Sequence, residues 1–294
     1  MRSLRPLFAC ALAALCVLAA GCGSQKQASD TLKIGVIPYE QPSKLQEQYT
    51  PFANYVGAKC GKKAQVFVAQ DYVGVVQALQ ADQIDCAYLN PLSYVLFQQK
   101  MENTPEKLVP IAMPEVQGSL YYYGVIFVRK DSGITSVSQL KGKRFAFAEP
   151  TSASGYLYPY IYLKKHGINP DTDFKQKVFA GDDAVVPAVL NGTVDAGAVF
   201  DEGIKLFGGS RADQLRVLAR VGPIANGMLV ARGNLAPAEI AQIKAAMSSI
   251  NTDPAGKQAN AAMEVTRWDP ADDTVFNPVR QAASALGLNI ASMK

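Results

Sequence analysis

The 294-residue chain carries 29 basic and 25 acidic residues, a formal charge of +4, and 49% of its residues are apolar. A balance so close to neutral argues against nucleic acid as a partner, while the apolar fraction is ample for real cores. The chain has one histidine, and its cysteines and acids follow no metal-ligand spacing, so neither a metal nor a cofactor is expected.

Arg2 and Arg5 precede an uncharged apolar run, Leu7 to Ala20, that ends in small residues. This predicts a secretory signal over residues 1–21 rather than a membrane span, which needs about 20 apolar residues. Leu18-Ala19-Ala20-Gly21-Cys22 resembles a bacterial lipoprotein box, with Ala19 at a position where many such boxes carry leucine. The resemblance implies lipidation of Cys22 as the first mature residue and a flexible tether over residues 22–30. Loss of the signal leaves 27 basic and 25 acidic residues, a charge of +2. Cys10 and Cys16 depart with it, so Cys60 and Cys86 remain as an even pair in an oxidising compartment. They form either a disulfide or two unpaired thiols, Cys86 being buried in a strand pattern.

The body alternates strand and helix signals. Leu32 to Ile37 is a short apolar run closed by Pro38, as expected of a buried parallel strand. A helical pattern over Lys44 to Gly57, a strand over Ala64 to Val68, a helix over Val73 to Ala81 and a strand over Cys86 to Leu89 follow. Asn90 to Tyr94 turns into another helix. A second series starts with a strand at Val125 to Val128, and continues with a strand from Arg144, a helix over Tyr156 to Lys165 and a strand near Lys177 to Phe179. It closes with a helix over Val185 to Leu190 and a strand over Val194 to Phe200. Such alternation predicts two α/β lobes with mostly parallel sheets. The remainder, Gly227 to Val230 and helices over Pro237 to Ile250 and Phe276 to Ala285, is too small for a third sheet and is expected to cover the first lobe. Lobe 1 then spans residues 31–122 and 225–294, lobe 2 spans 123–224, and two hinge crossovers join them.

The stretch from Phe147 to Pro159 organises the chain: a strand runs into the cluster Thr151-Ser152-Ala153-Ser154-Gly155 and then into a helix start. Hydroxyls and unpaired N–H groups at the positive end of a helix make a site for an oxyanion. The same residues equally serve as an ordinary N-cap. A serine nucleophile would need a base, and no histidine, lysine or metal set stands in a suitable position, His166 being read as a helix-end residue. Catalysis is not expected.

The segments Val36-Ile37-Pro38, Asp71-Tyr72-Val73-Gly74, Ile84 to Pro91, Val128 to Ile134, Glu149 to Gly155 and Asn191 to Gly197 occur in this order. Together they resemble the phosphate, phosphite and phosphonate-binding proteins of ABC importers. The resemblance implies a two-lobed periplasmic binding protein of type II, an exported, lipid-anchored monomer that delivers one small ligand to a membrane permease. It implicates Tyr72, Tyr122, Ser152, Ala153 and Ser154 in ligand binding, with Tyr39, Asn90, Gly155 and Asn226 as further candidates. The chain departs from the family pattern in three places: Ala153 replaces a hydroxyl, Asp182 stands where a histidine is expected, and Asn226-Gly227 falls where an acidic residue is expected. Asp201 and Glu202 match an acidic position that pairs with a ligand amine. A carboxylate beside a dianion is repelled unless the ligand carries a balancing positive charge or Asp182 points away. The expected ligand is therefore a phosphonate, and an aminoalkylphosphonate satisfies both sets of groups. The alternatives are a zwitterion or organic cation without phosphorus in the same transport role, or a sensor module.

Overall fold

The computed structural model describes residues 29–101, 104 and 107–288. The predicted signal, Cys22 and most of the tether lie outside the described residues.

In the first series, β1 (Thr31–Val36), α1 (Pro42–Lys59), β2 (Lys63–Val68), α2 (Tyr72–Gln80), β3 (Cys86–Leu89) and α3 (Pro91–Met101) follow one another, before β4 (Leu108–Val116). Leu32, Ile34 and Val36 of β1 are all nearly inaccessible, as a strand covered on both faces requires. Along α1, the buried residues Leu45, Tyr49, Phe52, Ala53 and Val56 recur at helical spacing and form one core face. Pro42 opens that helix, where its missing N–H costs nothing, and Lys59 closes it.

The chain then crosses to a second sheet: β5 (Tyr121–Arg129), β6 (Arg144–Phe147), α4 (Tyr158–Lys165), β7 (Gln176–Phe179), α5 (Asp182–Leu190), β8 (Ala196–Phe200), α6 (Gly203–Gly208) and β9 (Leu215–Ala225). A single π-helical turn, Ala153–Leu157, leads into α4. After a second crossover, β10 (Met228–Arg232), α7 (Pro237–Ser249), α8 (Pro254–Ala262), β11 (Val265–Pro270) and α9 (Asn277–Ala285) complete the described chain. The first sheet has the order β11-β4-β10-β3-β1-β2 and the second β7-β6-β8-β5-β9. Strands β10 and β11 both join the first sheet, so the last part of the chain returns to the lobe in which it began.

Both sheets are mixed, with most strands of each running in one direction. Pairings inside each α/β series are parallel, whereas β10 runs antiparallel to β3 and β4, and β5 antiparallel to β8 and β9. A strand arriving from the other lobe enters from the cleft end, so it runs against the strands that point toward the cleft.

Cys60 and Cys86 are both free thiols, which corrects the disulfide alternative. Cys86 is 1% exposed inside the apolar cluster of β1, α1 and α7, and this burial pushes its thiol far above the ordinary range. The thiolate that disulfide chemistry needs is thereby withheld.

The second crossover admits little extra volume. A Cβ on Gly227 would fall 2.3 Å from the Leu89 carbonyl oxygen and 2.8 Å from the Tyr88 ring. We expect Gly227→Ala to destabilise the protein by about 1–3 kcal/mol, the usual cost of overpacking, read as a lowered midpoint in urea unfolding. An unchanged midpoint would show that the crossover relaxes freely.

Candidate functional site

The carboxyl ends of β1, β3, β6 and β8 all open into one cleft between the two sheets, of about 860 Å³. Ligands of open α/β sheets bind at such strand ends. Here the loops after β2, β3, β6 and β7 start helices whose first residues reach the same cleft. Asp71 caps α2, its carboxylate accepting from the Gly74 N–H at 2.6 Å. Asn90 caps α3, accepting from the N–H groups of Leu92 (2.9 Å) and Ser93 (3.0 Å). Ser152 caps the π turn, accepting from the Gly155 N–H at 3.0 Å, and Gly181 precedes α5. Residues from all four helix starts line the cleft, among them Tyr72, Asn90, Ser152, Ser154 and Asp182. Their dipoles converge on it with the positive end inward.

The structure brings Tyr72, Tyr122, Ser152, Ser154 and Asp182 into this one space. The Ser152 oxygen is engaged as a cap acceptor, which leaves its hydroxyl hydrogen to donate. Ser154 lies beside the Tyr122 phenol, whose pKa burial raises and the Ser154 hydroxyl lowers. Asp182 is 1% exposed, and its Oδ2 accepts from the Tyr72 hydroxyl at 2.6 Å. That hydrogen bond runs from α2 in one lobe to α5 in the other. Burial pushes the Asp182 carboxyl up to about 7; the Tyr72 hydrogen bond opposes the shift, and repulsion from Glu149 and Asp183 adds to it. A second bridge between the lobes joins Gln41 Nε2 to Asp183 Oδ2 at 2.7 Å, and the Tyr39 ring meets Phe200 edge-on at 6.4 Å.

Other predicted residues have different roles. Ala153 is buried in the apolar core and is absent from the cleft lining, so its side chain offers nothing to a ligand. Gly155 is held against Ala148: an added Cβ would come within 2.4 Å of the Ala148 Cβ. Asn226 donates from Nδ2 to the carbonyls of Pro114 (3.0 Å) and Ser119 (2.8 Å), which uses both amide hydrogens on the crossovers. Tyr39 donates to Gln48 at 3.0 Å from the cleft wall.

Asp201 and Glu202 sit at the mouth. Burial opposes ionisation of Asp201, but hydrogen bonds with Glu202, Arg220 and the Tyr123 N–H hold it below the ordinary carboxylate range. Arg220 pairs with Asp201 at 2.9 Å and lies 3.4 Å from the Tyr123 ring centre. Desolvation, followed by the hydrogen bond to Asp201, raises the Glu202 carboxyl. The lining as a whole holds Glu40, Asp182, Asp201, Glu202 and Glu264 against Lys205 and Arg220. The sequence reading missed the rest of the aromatic wall, Tyr49, Tyr88 and Trp268, because Trp268 belongs to β11, a strand with no apolar alternation. His166 caps the far end of α4 and stacks on Tyr162 at 3.9 Å, away from the cleft lining.

Residues 34–276 match the family described as ABC transporter, phosphonate, periplasmic substrate-binding protein. The chain is 29% identical over 263 residues to the phosphonates-binding periplasmic protein of Escherichia coli (strain K12), covering 86% of this chain and 75% of that protein. It is 30% identical over 258 residues to a phosphate-import protein of Mycolicibacterium smegmatis, covering 80% of this chain and 79% of that one. Among solved structures, PhnD1 from Prochlorococcus marinus in complex with methylphosphonate superposes with a TM-score of 0.78 at 21% identity, over 88% of this chain and 98% of that chain. The two-lobed fold, the cleft at its strand ends and the extent of these matches lead to one conclusion: the chain belongs to the phosphonate family of periplasmic substrate-binding proteins that serve ABC transporters.

Proposed function

We propose that the cleft captures a phosphonate by its oxyanion head and delivers it unaltered to the permease of an ABC importer. The observation that carries this reading is the convergence of four helix starts on Ser152, Ser154, Tyr72 and Tyr122. Unpaired N–H groups and hydroxyl donors around a positive pole suit a compact oxyanion. The relatives named for phosphonate and phosphate support the same ligand class.

Asp182 lies with Tyr72 and Ser154 at the buried end of the cleft, and Glu202 at its exposed mouth. A ligand whose head rests on the serines directs any substituent toward Glu202 and Asp201. An ammonium there meets a carboxylate, which favours an aminoalkylphosphonate. The surplus of carboxylates along the lining favours, as a second reading, a zwitterion or cation without phosphorus. Competition separates the two, since an amine without a phosphonate group displaces bound phosphonate only on the second.

Transport also implies an address. In our reading the protein is exported, held to the membrane through a lipid on Cys22, and works as a monomer without catalysis. The two crossovers act as hinges between lobe 1, over 31–122 and 225–294, and lobe 2, over 123–224.

Replacing both serines, Ser152→Ala with Ser154→Ala, is expected to weaken phosphonate binding at least about tenfold, the loss of one or two charge-assisted hydrogen bonds. Isothermal calorimetry measures this, and equal affinity would remove the serines from the site. The raised pKa of Asp182 gives a second expectation. Its contribution to stability is intact below the ordinary carboxyl range, about 4, and is lost as pH rises through about 7. Asp182→Asn escapes that loss, so the ligand-free variant should melt several degrees above the parent at about pH 8 and together with it near pH 4. Coincident melting curves at both values would contradict the buried-carboxyl account.

A further inference from the structure

A small phosphonate on Ser152 and Ser154 occupies little of the cleft. The volume of about 860 Å³ falls in the upper part of the roughly 300–1,000 Å³ that suits drug-sized ligands. Nor is it the volume of lobes held apart, since the Tyr72–Asp182 and Gln41–Asp183 hydrogen bonds and the Tyr39–Phe200 ring contact already span the cleft. The space left over is bounded by a wall built around α1, β3 and β11, to which Tyr39, Gln48, Tyr49, Tyr88, Glu264 and Trp268 contribute.

This wall has an aromatic floor and a polar edge. Trp268 stacks on Phe52 at 5.3 Å and meets Tyr88 edge-on at 6.3 Å, and Tyr49 lies 6.4 Å from Tyr88, so the rings fix one another. The Trp268 Nε1–H is spent on Asn260 at 3.1 Å, which leaves only its ring to the cleft. Tyr88 also reaches the head end: burial raises the Tyr122 phenol first, and proximity to Tyr88 adds to the shift.

The edge has unspent hydrogen-bonding capacity. Tyr39 donates to Gln48 Oε1 at 3.0 Å, and the Gln48 amide hydrogens have no partner among the described residues. The Tyr88 oxygen accepts from the Gly227 N–H at 3.1 Å, so its own hydrogen is free to donate. Glu264 Oε2 accepts from Gln117 Nε2 at 2.7 Å, its Oε1 is open, and among the described residues no cation pairs with it. Burial raises the Tyr39 phenol and the Glu264 charge adds to the shift, so these groups face one space. Glu264 (φ 55°) and Gln117 (φ 49°) both stand in the left-handed region, a strain that persists only where the surroundings over-determine it. Here the Gln117 N–H also donates to the Glu264 carbonyl at 3.2 Å.

Donors and an acceptor along a floor of rings discriminate among substituents. An alkyl chain covers the floor but strands the polar edge, at the usual cost of polar groups left unpaired. A quaternary ammonium meets one carboxylate, but also the donor hydrogens of Gln48 and Tyr88. A hydroxyl both donates and accepts, so hydroxyls satisfy the edge while the carbon skeleton covers the rings. Resting on the phosphonate reading, we propose that this wall is a second subsite for a hydroxylated substituent, and that the preferred cargo is a phosphoryl compound bearing a sugar or polyol.

Calorimetry of the purified protein at about pH 7 compares methylphosphonate with glucose 6-phosphate, ribose 5-phosphate and glycerol 3-phosphate. The best of these esters should bind at least about tenfold more tightly than methylphosphonate, the gain from one or two further hydrogen bonds. Hexyl phosphate and phosphocholine, which offer the edge no hydroxyl, should bind more weakly than that ester. Gln48 is half-buried and Glu264 exposed; in the double variant Gln48→Ala with Glu264→Ala, the preference for the ester over methylphosphonate should shrink at least about tenfold. Methylphosphonate binding as tightly as every ester, hexyl phosphate or phosphocholine matching the best of them, or an unchanged preference in the folded variant overturns the hydroxyl subsite and leaves the phosphonate reading standing. Failure of every phosphoryl compound to bind overturns both. The wild-type comparison decides even if the variant does not fold.

Discussion

The first N–H groups of a helix have no partner inside it, and this chain gathers four helix starts around one cleft. Three of the four satisfy part of that deficit with their own caps, Asp71, Asn90 and Ser152. The positive potential at the ends of the helices is left facing a common space. Parallel strands make this arrangement possible, because each one delivers its following helix to the same edge of the sheet. The antiparallel strands β5, β9 and β10 carry the crossovers and supply no helix starts to the cleft.

Asp182 stands against that background as the unexpected group. A carboxylate at a helix start is favoured by the dipole, but one buried with Glu149 and Asp183 nearby is not. It takes part in the seam between the lobes through Tyr72, so the same side chain belongs both to the cleft lining and to a contact across it. On the function proposed above, a change in its charge bears on closure as well as on recognition.

Much of the architecture was legible in the sequence. Strands such as Cys86–Leu89 and helices such as α1 announce themselves through short apolar runs and helical spacing. The segments that escaped have local chemistry at odds with their state. Pro110 and Pro114 lie within β4, an interior strand, where proline ordinarily argues against a strand. Gly222-Pro223 interrupts β9, the residues of β11 read as Val-Thr-Arg-Trp-Asp-Pro, and α8 is made of small and polar residues. Tertiary pairing overrides propensity in each case. At the site, the hydroxyl-rich turn was visible as a strand-to-helix junction. The burial of Ala153 in the core was not, because it opens a π turn, whose register ordinary helical spacing does not give. Nor could spacing reveal that Tyr72 and Asp182, 110 residues apart, share a hydrogen bond.

The stitching at the crossovers carries a mechanical consequence. Asn226 donates its backbone N–H to Leu120 at 2.9 Å and its side-chain amide to Pro114 and Ser119, so two strands of polypeptide far apart in sequence are bound into one flexure. On the hinge reading proposed above, linkers tied in this way bend together about a shared axis, which denies the halves of the molecule independent twist and sideways slip. The same reading gives a membrane partner a jaw with a single angle to sense, wide or narrow, instead of a loose assortment of orientations.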